Sequence, residues 1–294
     1  MTIVATAETR VVDAGRRSTA AGRAGLLCIS PVDALSAVVE ISGAVTRIGS
    51  DPGCQIALQG ESLAETHAVI ERADGQFCIR DCGSLLGTFV NDQRIGMHRL
   101  MPGDRIRLGN RIFRFLSDDR FDAQYHEAVY EMMTVDALTG AYNRRYFEEA
   151  FAREVLRAQR HWRPIALLLL DIDRFGSVND RFGRNSGDEC LNGFSRRVCS
   201  RIRGEDLFGR MGGEQFAIAL TEAPLKQSVR VAQDLRRLVE GEPFLTSRGS
   251  VQLTISIGVG FANGQGPVNA HEILKQGREN MYRAKADGRN CGRY

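Results

Sequence analysis

The segment "PIALLLLDID" (residues 164–173) constrains this chain more than any other stretch. Six apolar residues in a row, Ile165 to Leu170, are strand-sized and leave no position to face water. Such a run reads as a buried strand of an α/β sheet. It ends abruptly in two acids, Asp171 and Asp173, which therefore stand at the mouth of that sheet. Carboxylates placed there serve a cation or a polar ligand, or they cap the helix that follows.

A second stretch, "GRMGGEQFAIAL" (209–220), supplies another strand with another mouth. Gly212 and Gly213 tolerate positive φ and let a phosphate approach backbone N–H groups with no side chain in the way. An ordinary hairpin turn would use the same pair. Glu214 follows as a carboxylate and Gln215 as an amide. If the two turns lie on adjacent strands, Asp171 and Glu214 converge. Two carboxylates and a backbone carbonyl suit Mg²⁺, which takes oxygen ligands and substrate phosphates. Lys285 and Arg289, four residues apart near the end of the chain, share a helix face or a helix end. A point charge beside a planar fork suits a polyphosphate, although a solvated basic face has the same spacing.

From residue 136 onward helical and strand patterns alternate, as in an α/β or α+β domain. Helices are expected over "YFEEAFAREVLRAQRH", "GDECLNGFSRRVCSRI", "KQSVRVAQDLRRLVEG" and "AHEILKQGRENMYRAKADG", and one strand over "VQLTISIGVGFA". Residues 26–117 differ in texture. Short strand-like runs alternate with glycine-rich turns, and Asp74-Gly75 is a strong hairpin signal, which together indicate an all-β sandwich. Residues 1–25 read as a mobile tail. Residues 118–135 read as a linker helix that Ser117 or Asp118 could cap, with Phe121, Tyr125, Ala128 or Val129, and Met132 at helical spacing. That stripe lies on a neighbouring domain or pairs with its copy in a dimer; periodicity does not choose between the two.

The whole chain narrows the function classes. Its 294 residues suit two domains, and a net charge of +3 gives no argument for a nucleic-acid partner. No apolar run approaches the ~20 residues that span a bilayer, and no secretory leader is legible, so no membrane partner is expected. Seven cysteines without a CxxC pair fit reduced thiols, hence a cytoplasmic protein.

The motifs "DALTGAYNRRYF" (136–147), "DIDRF…ND…GD" (171–188), "RMGGEQF" (210–216), "SIGV" (256–259) and "YRAKADGRN" (282–290) occur in the order seen in the GGDEF-type diguanylate cyclases, and residues 136–294 resemble that family. The resemblance implies an antiparallel-sheet α/β domain like a nucleotidyl cyclase or polymerase palm. It implies that each domain holds one GTP and that two domains, facing each other in a homodimer, make cyclic di-GMP. By the same resemblance Asp171, the Ile172 carbonyl and Glu214 bind Mg²⁺ or Mn²⁺, and Phe175, Asn179 and Asp188 hold the guanine nucleotide. Gly212 and Gly213 admit its phosphates, and Lys285 and Arg289 clamp them. Glu214, Lys285 and Arg289 carry the chemistry, and Arg203 with Asp206 forms an RxxD product-inhibition site.

Three departures stand out. Gln215 replaces a second acid, Gly176 a common lysine and Arg184 a common histidine. An amide coordinates or hydrogen-bonds but cannot act as a base, so a degenerate domain that only binds cyclic di-GMP or GTP is the alternative.

The first domain, "TRIGSDPGCQIAL…LAETHAVI…DCGSLLGTFVN…LMPGDRIRLG…FRF", resembles the forkhead-associated (FHA) domain, which usually reads phosphothreonine. Scaffold positions are kept: Gly49, His67, Gly83, Gly87, Thr88, Val90, Gly103 and Asp104. The ligand-reading positions are Ser50, Ala64, Glu65 and Leu86, and Glu65 sets a negative charge where a phosphate dianion would sit. An interaction or dimerisation module with a protein partner is expected in its place.

Overall fold

The computed structural model describes residues 24–30, 38–58, 63–117, 121–267 and 269–294. The chain divides into two compact units, Met1–Met132 and Met133–Tyr294.

The first unit is built from eleven strands: β1 (Ala24–Ser30), β2 (Val38–Glu40), β3 (Val45–Gly49), β4 (Ile56–Ala57), β5 (Ala68–Ala73), β6 (Gln76–Asp81), β7 (Thr88–Val90), β8 (Gln93–Ile95), β9 (Met97–Leu100), β10 (Arg105–Leu108) and β11 (Arg111–Ser117). They form two sheets, ordered β2-β1-β11-β10-β7-β8 and β4-β3-β5-β6-β9. Leu26, Phe113 and Phe115 of one sheet meet Ile48, Ile70, Phe77 and Ile79 of the other in a single core, which makes the unit a sandwich. Asp74 and Gly75 form the expected hairpin, with φ of 51° and 75°, both left-handed as a primed two-residue turn requires. Gly49 is demanded by packing, since a Cβ there would overlap the Glu65 carbonyl.

His67 is buried and braces two loops. Its Nδ1 accepts from the Ala64 N–H at 3.4 Å, so Nε2 carries the proton and donates to the Gly87 carbonyl at 3.2 Å. Burial holds its pKa below the usual histidine value.

Helix α1 (Phe121–Thr134) follows, with Ala128 fully buried. Gln124 ties it to the sandwich: its amide accepts from the Ser117 N–H and donates to the Ser117 carbonyl, both at 3.1 Å. Ser117 thus closes β11 instead of capping the helix, and Asp118 lies outside the described residues. Ala24 and Gly25, expected in the tail, are strand residues paired with Ser117 and Leu116, because the apolar run of β1 begins there. The remainder of that expected tail is outside the described residues.

The second unit contains β12 (Tyr142–Asn143), α2 (Arg144–Arg160), β13 (Ile165–Ile172), α3 (Phe175–Phe182), α4 (Arg184–Cys199), β14 (Leu207–Gly212), β15 (Gln215–Thr221), α5 (Leu225–Gly241), β16 (Phe244–Thr246), β17 (Gly249–Val251), β18 (Ile255–Ala262), α6 (Ala270–Ala286) and β19 (Gly292–Arg293). The main sheet runs β12-β14-β15-β13-β18-β19, with β13 antiparallel to both neighbours and only the short edge strands β12 and β19 parallel. All eight residues of β13 are buried. Leu168 and Leu170 join Phe194, Phe216 and Ile257 on one face, while Leu167 and Leu169 join Phe147, Phe151 and Met281 on the other. Strand alternation thus feeds two cores from one apolar run.

Two details depart from expectation. "VQLTISIGVGFA" is not one strand: Val251 pairs with Phe244 in the β16–β17 hairpin, and β18 starts only at Ile255. Helix α3, eight residues long, was hidden in the loop after Asp173 because its pattern is too short to show periodicity.

Candidate active site

The register places the mouth of the sheet. Asp171 on β13 pairs with Gln215 on β15 and with Ser256 on β18. The turn from β14 to β15 therefore sits beside the end of the central strand, and the Ile172 N–H donates to the Glu214 carbonyl at 3.3 Å. Gly212 (φ 125°) and Gly213 (φ 55°) both have backbone angles that L side chains avoid. Arg210 locks the turn from below: Nε donates to the Gly213 carbonyl at 2.9 Å and a terminal nitrogen to Asp136 at 3.1 Å. Asp136 also accepts from the N–H and hydroxyl of Thr139, so the "DALTG" stretch buttresses the glycine turn. This buttress was not foreseen, although both of its ends lie inside the quoted motifs.

Asp171 is only 2% exposed, so an ionised carboxylate there needs partners. It has two on one oxygen: Lys285 Nζ at 2.7 Å and Gln215 Nε2 at 2.8 Å, both on Oδ2. Lys285 reaches it from the last turn of α6, which lies directly against β18. Gly258 permits that approach, since a Cβ there would overlap the Gly277 carbonyl of α6. Gln215 is a donor to Asp171. A carboxylate in its place would be a second acceptor at hydrogen-bond distance and would repel unless a proton or cation stood between them.

The other expected residues fall into three places. Phe175 is buried at the start of α3, and Asn179 lies one turn further along. A Cβ on Gly187 of α4 would overlap Asn179 Oδ1, so the glycine is what lets the amide lie against α4 next to Asp188. Arg289 lies beyond α6, exposed, with φ 66° and its N–H donating to the Ala284 carbonyl at 3.0 Å. Lys285 and Arg289 thus share a helix end and not a helix face. Arg203 and Asp206 lie apart from all of these, at the far end of the sheet. Asp206 accepts from the N–H of Arg203 at 3.1 Å and of Thr221, the last residue of β15, at 3.4 Å. Burial raises the Asp206 pKa. Arg203 lines a cavity of about 510 Å³ with Arg157, His161, Arg163, Glu205 and Glu222.

Among the described residues no group of three His, Cys, Asp or Glu side chains could hold a metal ion. The donor set at the mouth, two carboxylates and one backbone carbonyl, nevertheless fits Mg²⁺. That ion dehydrates reluctantly and is held by one or two carboxylates, with water and substrate phosphate filling the remaining positions.

Fold and site together define a β-sandwich followed by a palm-like antiparallel sheet with a carboxylate–lysine mouth. Residues 133–291 match the family described as diguanylate cyclase, GGDEF domain, and residues 46–109 match the FHA domain. The chain belongs to the GGDEF family and carries an FHA domain ahead of its GGDEF domain.

It is 41% identical over 163 residues to response regulator PleD of Caulobacter vibrioides, covering 55% of this chain and 36% of that protein. It is 35% identical over 170 residues to the probable diguanylate cyclase DgcC of Escherichia coli, covering 57% and 45%. The chain thus spans less than half the length of these curated relatives. Among solved structures, the isolated GGDEF domain of PA1120 (TpbB or YfiN) from Pseudomonas aeruginosa is 30% identical with a TM-score of 0.51, covering 54% of this chain and 92% of that one.

Proposed function

We propose that this chain is a diguanylate cyclase that condenses two GTP into cyclic di-GMP and releases two pyrophosphates. The observation that carries the reading is the mouth itself: Asp171, paired in register with Gln215 and neutralised by Lys285, beside a glycine turn bearing Glu214. In this reading Asp171, the Ile172 carbonyl and Glu214 hold Mg²⁺ or Mn²⁺. When bound, the cation neutralises phosphate charge and acidifies the attacking 3′-hydroxyl.

Lys285 has two tasks that follow from its position. Before nucleotide arrives it neutralises Asp171, which would otherwise be an unpaired buried charge. With nucleotide bound, the Lys285 ammonium would serve the phosphates, with Arg289 as the planar arm of the clamp. Gly212 and Gly213, with open space where a side chain would stand, leave room for the phosphates at the turn. Phe175, Asn179 and Asp188 hold the base, with an amide and an acid able to read the guanine edge. Gln215 does not remove a proton; it orients Asp171.

Each domain holds one GTP, so attack requires a second domain opposite the first, and the working form is a homodimer. Product returning to the cavity at Arg203, with Asp206 shaping that loop, inhibits turnover. The FHA domain acts as an interaction module for a protein partner and not as a phosphothreonine reader, supported by Glu65, Ala64, Ser50 and Leu86 at the reading positions. No helix among the described residues is long and apolar enough to cross a membrane. That, with the free thiols, supports a cytoplasmic site of action.

A second reading rests on Gln215: a domain that binds GTP or cyclic di-GMP without turnover. Purified protein, stripped of nucleotide, is incubated with GTP and Mg²⁺ and the products are separated by chromatography. Cyclic di-GMP above a Glu214→Ala control supports the cyclase. Cyclic di-GMP binding without synthesis supports the receptor.

A further inference from the structure

Arg289 sits in a turn that regular structure does not hold. Both Arg289 (φ 66°) and Asn290 (φ 47°) are left-handed, and neither is glycine. Asn adopts such angles readily in a turn, but for Arg289 they cost free energy that the surroundings must offset.

The surroundings are specific. The Asn290 N–H donates to Asp173 Oδ2 at 3.0 Å. Asp173 is itself buried, and its carboxylate also accepts from two hydroxyls: Ser256 Oγ of β18 on Oδ1 at 2.6 Å and Thr254 Oγ1, just before β18, on Oδ2 at 2.8 Å. Asp173 therefore spends both oxygens on the fold, although it lies two residues beyond Asp171. The Asn290 side chain meanwhile bridges an ion pair on α5. Its Nδ2 donates to Glu240 Oε1 at 2.8 Å, and its Oδ1 accepts from a terminal nitrogen of Arg236 at 3.1 Å. The same Arg236 nitrogen reaches Glu240 Oε2 at 2.6 Å. An amide that gives and takes one bond each from a paired cation and anion has one orientation only.

We propose that Asp173, Asn290 and the Arg236–Glu240 pair are positioning residues for the Arg289 guanidinium. Helix α5 contributes no side chain to the mouth, yet through Asn290 it fixes the backbone from which Arg289 reaches the phosphates. The inference rests on Arg289 being an arm of the phosphate clamp.

The test uses the full chain and two probes, a non-hydrolysable GTP analogue and GMP, each titrated with Mg²⁺ present. Glu240→Ala, a change on the surface of α5, weakens the analogue about tenfold, a usual size for removing an outer support. It weakens GMP far less, because GMP carries one phosphate where the clamp suits a polyphosphate. Glu240→Gln keeps an acceptor for Asn290 Nδ2 but turns an amide N–H toward Arg236, so it falls between wild type and Glu240→Ala. Asn290→Ala behaves like Glu240→Ala, and adding it to Arg289→Ala costs nothing more, since both act through one group.

Three results overturn the proposal. If Arg289→Ala weakens the analogue while Glu240→Ala and Asn290→Ala do not, the turn needs no such support. If Glu240→Ala weakens GMP and analogue equally, the network supports the fold in general. If Arg289→Ala itself binds the analogue normally, the clamp reading of Arg289 fails first and the positioning role falls with it. Should Asn290→Ala not fold, the Glu240 pair alone decides.

Discussion

Gln215 and Asp171 face each other across β15 and β13, and the Gln215 amide nitrogen donates to the same Asp171 oxygen that Lys285 holds, at 2.8 Å. The site thus carries one negative charge fewer than a mouth with a second acid would. Gln215→Glu restores that charge. Without metal the two carboxylates repel and the variant melts below wild type; with Mg²⁺ in excess the difference narrows or reverses. Thermal melting with Mg²⁺ and with chelator reads this directly. Equal Mg²⁺ shifts for the two proteins would contradict the geometry.

Lys285→Met isolates the other half of the contact. It leaves Asp171, almost fully buried, with an amide as its remaining named partner, and removing one member of such a pair costs about 3 kcal/mol. Urea unfolding of the nucleotide-free variant measures the loss. The same variant binds a GTP analogue poorly, whereas a merely structural lysine would lower stability alone.

The two turn glycines are not equivalent. Neither Cβ would meet an atom within 4 Å, so strain and not space sets the cost. Gly213 at φ 55° lies where an L residue pays about 1 kcal/mol. Gly212 at φ 125° lies outside that region, and Gly212→Ala costs about 2–3 kcal/mol. Urea midpoints of the two alanine variants give the order; the reverse order would contradict the turn geometry.

Cys190 sets an alkaline limit. It is fully buried in α4, and burial pushes its thiol up from 9.0 to about 11. The unfolded thiol ionises near 9.0 while the folded one stays protonated, so the folded state binds more protons between those values. Stability from this group is therefore complete below pH 9 and is lost as the pH rises toward 11, by about 3 kcal/mol in all. Cys190→Ala flattens that arm of the stability profile, whatever its effect at pH 7. An unchanged slope would show that Cys190 is not the group responsible.

Much of this architecture was legible because the physics behind it is local. The apolar run of β13 had to be a central strand, and its terminal acids had to fall at a mouth. The glycine pair announced a turn that only glycines tolerate. What the pattern could not show was pairing at a distance. Asp171 and Asp173 look alike in sequence, yet one faces Lys285 and Gln215 while the other is consumed by Thr254, Ser256 and Asn290. Their difference arises from what each meets in space: Asp171, near the end of β13, lies beside β15 and α6, whereas Asp173, past the strand, meets the start of β18 and the turn after α6. The spacing of Lys285 and Arg289 left a shared helix face or a helix end open; the left-handed turn after Ala286 decides for the helix end.

The most direct test of the account is a turnover measurement on three nucleotide-stripped proteins side by side: wild type, Glu214→Ala and Gln215→Glu, each with GTP and Mg²⁺. The account predicts cyclic di-GMP from wild type and none from Glu214→Ala, because an amide that orients Asp171 is compatible with chemistry and a missing metal ligand is not. Silence from wild type with synthesis by Gln215→Glu would contradict it, and would make the amide the side chain that turns this cyclase fold into a receptor.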